Sequence, residues 1–174
     1  LVAQNATIAK NAGWCDIYMK VATTVNYFGS TIIGSIFGEI DSSNPGVEAV
    51  VTTFNYTALM IWWDNDHWNS SFMFQDSHNV RKAVVADLTD EHEGNEVVCI
   101  SKSGNTTVSW VDEEGNWTNV VVYDGDPLAR VAVGDVDPAP GLEIYVGRDI
   151  QDEGGVIGIK WDGTNWVNKT IFID

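Results

Sequence analysis

The stretch Arg130-Val-Ala-Val-Gly-Asp135-Val-Asp137-Pro-Ala-Pro-Gly141-Leu-Glu143-Ile-Tyr-Val146 decides the fold, because the chain carries two earlier copies of it. In each copy a run of small and β-branched residues ends in an acid, and a turn then closes on Gly-x-Glu before a second apolar run. The leading acids lie 48 residues apart, twice: Glu39, Asp87 and Asp135. Three copies in phase indicate an internal repeat.

Each repeat continues with a second pair of strand-like segments, marked by the tryptophan pairs Trp62/Trp68, Trp110/Trp117 and Trp161/Trp166. Alternation, β-branched residues and turn chemistry predict four short antiparallel strands per repeat, a to d, and no long helix. Four-stranded units of this length are typical of β-propeller blades. The predicted fold is therefore an all-β propeller, with blade 1 at residues 30–75, blade 2 at 76–124 and blade 3 at 125–174.

Residues 1–29 are less regular and are interpreted as a partial blade, strands c and d of a preceding unit. That makes about three and a half blades, whereas a closed propeller needs at least about four. The ring is therefore expected to be incomplete. A second copy, a partner chain or a longer parent chain would complete it, and a repeated head-to-tail contact would give a filament.

The repeats resemble the FG-GAP or integrin-α-type (VCBS-like) β-propeller family, over residues 30–174. The resemblance implies the fold, but the family serves as adhesion heads, lectin-like binders and parts of carbohydrate-active enzymes. It also implies calcium in the hairpin between strands a and b, where closely spaced oxygen ligands are needed. The candidate ligands are Asp135, Asp137 and Glu143 in repeat three, Asp87 and Glu96 in repeat two, and Glu39, Asp41 and Glu48 in repeat one.

These hairpins lack the Asp-Gly centre of the family's calcium loop, Pro138 and Pro140 stiffen the third copy, and Thr89 replaces a carboxylate in the second. The alternative is that the acids accept backbone N–H bonds and hold the hairpin without metal. Blade 3 is the first candidate for calcium.

Six Asn-x-Ser/Thr motifs favour a secreted or cell-surface glycoprotein, although a chain rich in Asn and Thr also produces them by chance. They lie at Asn5, Asn55, Asn69, Asn105, Asn116 and Asn168. The repeat places Asn55 and Asn105 in b–c hairpin loops and Asn69 and Asn116 in c–d loops. Glycans on loops would agree with the predicted topology.

The formal charge of −16 excludes nucleic acid as the expected partner, because Lys and Arg must supply attraction to phosphates. Either it keeps an extracellular protein soluble, or it reflects high salt or divalent cations. The longest apolar run, residues 58–63, is too short for a membrane helix of about 20 residues. Cys15 and Cys99 leave one disulfide or two buried thiols open.

No catalytic motif is visible, so the chain is expected not to be an enzyme. His67 with Asp64 and Asp66 is interpreted as an ordinary turn rather than a metal or sugar site. Trp62, Trp110 and Trp161 are in phase with the repeat and are expected to pack between blades. Trp63 must point to the opposite side of its strand and is the candidate ligand-contacting aromatic.

The leading functional interpretation is a non-enzymatic, secreted or cell-surface module for structure and protein–protein assembly, whose ring is completed by another copy or chain. One alternative is a carbohydrate-binding propeller with sugar sites between blades. The other is a fragment of a propeller-type polysaccharide lyase or hydrolase whose catalytic residues lie elsewhere.

Overall fold

The structure, a computed structural model, describes residues 32–44, 46–64, 66–149 and 154–173, and these form twelve strands joined by turns. The strands are β1 Ile32–Gly38, β2 Glu48–Thr53, β3 Thr57–Asp64, β4 His67–Gln75, β5 Val80–Ala86, β6 Glu96–Ser101, β7 Thr106–Val111, β8 Trp117–Tyr123, β9 Leu128–Gly134, β10 Glu143–Arg148, β11 Gly155–Trp161 and β12 Trp166–Ile173. Among the described residues no helix occurs that is long and apolar enough to cross a membrane.

The strands form three separate four-stranded sheets, each an antiparallel meander of consecutive strands. The first sheet is β1–β4, the second β5–β8 and the third β9–β12. Each sheet lies within one predicted repeat, and its strands are the predicted a to d. The all-β class and the four antiparallel strands per repeat are confirmed, whereas the predicted partial blade at residues 1–29 lies outside the described residues.

The sheets stack in sequence order, and their first strands lie side by side, β1 next to β5 and β5 next to β9. Two hydrophobic cores fill the spaces between neighbouring sheets. We call the space between the first and second sheets the first joint, and the space between the second and third sheets the second joint. The first joint contains Val50 and Met60 of the first sheet, and the second joint contains Ile144 and Ile159 of the third.

The second sheet is buried on both faces because it lies between the other two sheets. Side chains alternate between these faces along each strand. Val97 and Cys99 point into the first joint, whereas Val98 and Ile100 point into the second. We call the side of a sheet that bears the equivalents of Val97 and Cys99 its leading face, and the side that bears the equivalents of Val98 and Ile100 its trailing face. Cys99 makes no disulfide within the described part of the chain, and burial raises the pKa of its thiol to about 12.

Small residues at the ends of the first strands allow the sheets to approach closely. A Cβ added to Gly38, the last residue of β1, would lie 2.6 Å from Cγ1 of Val85 in β5. Such a distance is shorter than non-bonded carbon atoms make, so any side chain at this position would force Val85 to shift. The Gly-x-Glu turns need glycine for another reason, since Gly94 has a φ of 90° and Gly141 a φ of 106°.

Candidate functional site

The glutamate of each Gly-x-Glu turn is buried and accepts a backbone N–H from its own hairpin. The distances are 2.7 Å from Ile40 N to Glu48 Oε2, 2.7 Å from Leu88 N to Glu96 Oε2 and 2.9 Å from Val136 N to Glu143 Oε2. A buried carboxylate that satisfies a backbone donor fixes the hairpin without any ligand. This is the alternative to calcium that the sequence left open.

In the first two repeats the other predicted calcium ligands are exposed or bonded within their own turns. Glu39, Asp87 and Asp135 are exposed at the ends of the first strands. Asp41 accepts hydrogen bonds from Ser43 and Asn44, as turn aspartates do. Within the described ranges no group of three His, Cys, Asp or Glu residues could hold a metal ion.

In the third repeat a lysine lies where a cation would have to bind. The Lys160 ammonium donates to Asp137 Oδ1 at 3.1 Å, to the Ala139 carbonyl at 2.9 Å and to Glu143 Oε1. Calcium at Asp137 and Glu143 would have to displace this ammonium, so the residues of the third repeat do not fit the ion as they stand. Calcium binding remains a prediction for the other two hairpins.

Lys160 also reverses the direction in which the pKa of the buried glutamate is shifted. Burial raises the pKa of the Glu48 and Glu96 carboxyls, more than their backbone hydrogen bonds lower it. Burial acts on Glu143 in the same direction, but the Lys160 ammonium and the Val136 N–H outweigh it, and the pKa of Glu143 is lowered. The hydrogen bond to Glu143 in turn raises the pKa of Lys160.

Strand pairing corrects the predicted phase of the tryptophans. Glu143 pairs with Lys160, and in the same register Trp62 and Trp110 are the neighbours of Glu48 and Glu96. Trp161 is therefore the equivalent of Trp63, on the opposite face from Trp62 and Trp110. The prediction that Trp161 occupies the same packing position as the other two was wrong.

Trp161 instead borders a cleft of about 270 Å³ in the second joint. Its walls come from both sheets and include three indole rings. The lining residues are Thr89, Glu91, His92, Glu96, Val108, Trp110, Val120, Trp161 and Trp166. His92 stacks on Trp110 with centroids 4.0 Å apart and planes 9° apart, and Trp161 lies 5.5 Å from Trp166.

At the equivalent position in the first joint, a packed tryptophan and two hydrogen bonds across the joint take the place of the cleft. Trp117, the register equivalent of Trp166, packs on the first core, and its indole N–H donates to Ser71 Oγ at 3.0 Å. Asn119 adds a second bond across this joint, from its amide to the Met73 carbonyl at 3.2 Å. Sequence reasoning missed the cleft, because its residues come from hairpins and strands of two different repeats.

The trailing face of the third sheet exposes a residue that the other repeats bury. Ile40 is 1% exposed and Leu88 is 6% exposed, because each packs into the core at the trailing face of its own sheet. Val136, at the same place after β9, is 71% exposed. On the leading face of the first sheet, Phe37 and Val47 are 68% and 67% exposed.

The described sequons fall on turns and on strands. Asn55 and Asn116 are exposed in their hairpin turns, and Asn105 lies in a turn with its amide on Asp76 at 3.0 Å. Asn69 lies within β4, so its predicted place in a c–d loop was wrong, and Asn168 lies within β12. Asn5 is outside the described residues, and glycosylation remains a prediction at all six sites.

The predicted ligand aromatic, Trp63, is 55% exposed and makes an edge contact with Trp68, at a centroid distance of 5.1 Å. The neighbouring turn holds His67, whose Nδ1 lies 3.1 Å from Asp66 Oδ1. This is a local contact between consecutive residues. The ligand role of Trp63 remains a prediction.

The chain has no match among protein-family models, and a search of curated proteins finds no match either.

Proposed function

We propose that this chain is a non-enzymatic β-propeller module of the FG-GAP type, secreted or at the cell surface, that assembles with a second copy of itself through the end faces of its stack. One observation carries the proposal. The position that closes each joint is filled by Ile40 and Leu88 inside the stack, and by the exposed Val136 at its end. Val136 has the chemistry of a joint residue without a sheet to cover it.

The first sheet offers the complementary half of a joint. Inside the stack, Gly38 faces Val85, and the Gly94-Asn95 turn rests on Ile40, with the Asn95 amide on the Glu39 carbonyl. The repeat equivalents of Val85 and Asn95 in the first sheet are Phe37 and Val47. A second copy that brings Phe37 opposite Gly134 and Val47 beside Val136 would therefore repeat the geometry of the internal joints.

The propeller assignment is supported by three meander sheets whose first strands lie side by side. Blades of a propeller have this order, with the first strand next to the axis. A head-to-tail contact gives a closed ring if the rotation closes and a filament if it does not. The exposed sequons Asn55 and Asn116 support an extracellular setting.

The test is the solution mass of Val136→Asp and of a matched control, Val121→Asp. Val121 is also an exposed valine, but it lies on the outer strand β8, away from both end faces. Sedimentation velocity over a concentration series is expected to show association of the wild type and of Val121→Asp. Val136→Asp should be monomeric, because a buried unpaired carboxylate costs about 2 kcal/mol or more.

A wild type that stays a compact monomer at every concentration would contradict the proposal. So would a Val136→Asp variant that associates as well as the control. Circular dichroism of both variants checks the fold, which an exposed site should leave intact.

A further inference from the structure

The cleft in the second joint has the composition of an aromatic cage. Trp110 stands on the second sheet, and Trp161 and Trp166 stand on the third, so that indole rings border the space from both sides. Trp161 and Trp166 are tilted by 54° to one another, which presents ring faces at an angle rather than as a flat wall. Val108 and Val120 complete an apolar lining.

The carboxylates at the cleft are Glu91 and Glu96, and its N–H donors are those of the three indoles and of the His92 ring, which stacks on Trp110. Glu91 is exposed at the cleft, whereas Glu96 is buried and bonded to the Leu88 N–H. The Thr89 hydroxyl donates to Glu96 Oε1 at 3.4 Å, so its proton is already used. None of the lining residues, all within the described ranges, is Lys or Arg.

We propose that this cleft binds an organic cation that carries an alkylammonium group, such as a quaternary ammonium. Indole faces attract a cation through their negative quadrupole, and the attraction grows when water is excluded. A carboxylate at the edge, Glu91, supplies the counter-charge. A neutral polyol such as a sugar would gain no ionic attraction from Glu91, so the charge of the ligand separates the two ligand classes.

The volume agrees with a small ligand group. Ligand pockets for drug-sized molecules measure roughly 300–1,000 Å³, and this cleft, at about 270 Å³, lies just below that range. It therefore suits a head group rather than a whole large molecule. The site is independent of the end faces, so it can be tested whether or not the chain assembles.

The first experiment compares choline with its uncharged isostere, 3,3-dimethylbutan-1-ol, by calorimetric titration of the full chain. The two have nearly the same shape and differ in charge. Saturable binding of choline, at least about tenfold tighter than the alcohol, is expected from cation–π and ionic attraction. Equal affinity for both, no binding of choline, or saturable binding of N-acetylglucosamine in place of choline would overturn the proposal.

Two variants locate the site. Trp161→Ala should weaken choline binding about tenfold, whereas Trp63→Ala removes the register-equivalent indole of the first sheet and should leave it unchanged. Glu91→Gln changes an exposed side chain, keeps the fold and should weaken choline binding several-fold. Choline affinity unchanged in both Trp161→Ala and Glu91→Gln would overturn this location.

Discussion

The second and third sheets are built from the same repeat but have different surroundings. The second sheet is covered on both faces, and its Glu96 lies beside Trp110 under the third sheet. The third sheet is covered on its leading face only, and its Glu143 lies beside Lys160 instead of a tryptophan. The comparison shows that one hairpin motif works in two settings, because the residue opposite the glutamate changes from an aromatic ring to a cation.

The largest expected difference concerns the residue that closes the joint. Leu88→Ala should lower the free energy of unfolding by about 3 kcal/mol, because it leaves a cavity in the second core. Val136→Ala should cost less than about 0.5 kcal/mol, because its side chain is exposed. Urea unfolding at a concentration where the chain is monomeric measures both. Similar losses would mean that Val136 is covered in the monomer.

The glycines at the ends of the first strands sharpen the same comparison. Gly38→Ala should destabilise the chain by about 1–3 kcal/mol, because the new methyl group would collide with Val85. Gly134→Ala should leave the monomer unchanged, since the nearest contact to its new Cβ is Val136 Cγ2 at 3.7 Å. If a second copy docks there, Gly134→Ala should nevertheless weaken association. Thermal unfolding and sedimentation of the two variants separate these effects.

The smallest expected effect is in the pH dependence of stability. The folded pKa of Glu96 is raised, so its contribution is fully present below the unfolded pKa and is lost as pH rises through the folded pKa. The folded pKa of Glu143 is lowered, so its contribution is present above the unfolded pKa and is lost as pH falls. The free energy of unfolding of the wild type, relative to that of Glu96→Gln, should therefore fall as the pH rises. Relative to that of Glu143→Gln, it should rise.

Urea unfolding at several pH values between 3 and 7, on both sides of the usual glutamate pKa of about 4.3, measures these differences. Lys160→Met provides the control. Without the ammonium, the burial that remains should reverse the sign of the Glu143 dependence. Parallel slopes for the two Gln variants would show that Lys160 does not set the ionisation of Glu143.

Most strands were predictable from the sequence, because alternation and Gly-x-Glu turns repeat in all three units. The face of the sheet on which Trp161 lies was not predicted correctly. Lys160 takes the place of Trp62 and Trp110 in the third repeat, so matching the repeats by their tryptophans placed Trp161 one position off. A slip of one residue turns a side chain to the other face of a sheet.

The candidate sites were predictable only in part. Two or three acids per hairpin matched a cation loop by composition, but in the structure the glutamate accepts a backbone N–H and, in the third repeat, also pairs with Lys160. Lys160 is distant in sequence and only strand pairing brings it to Glu143. The cleft likewise joins residues from two repeats, such as His92 and Trp161.

The meander order of each sheet has a consequence for how the chain folds. Within each sheet every strand pairs with its neighbour in sequence, and each sheet contacts the next one along the chain. Such modules form quickly and then couple through nearest-neighbour interfaces, so damage at one interface need not spread. Weakening the second joint should uncouple the third sheet, which would then exchange its amide hydrogens ahead of the first two.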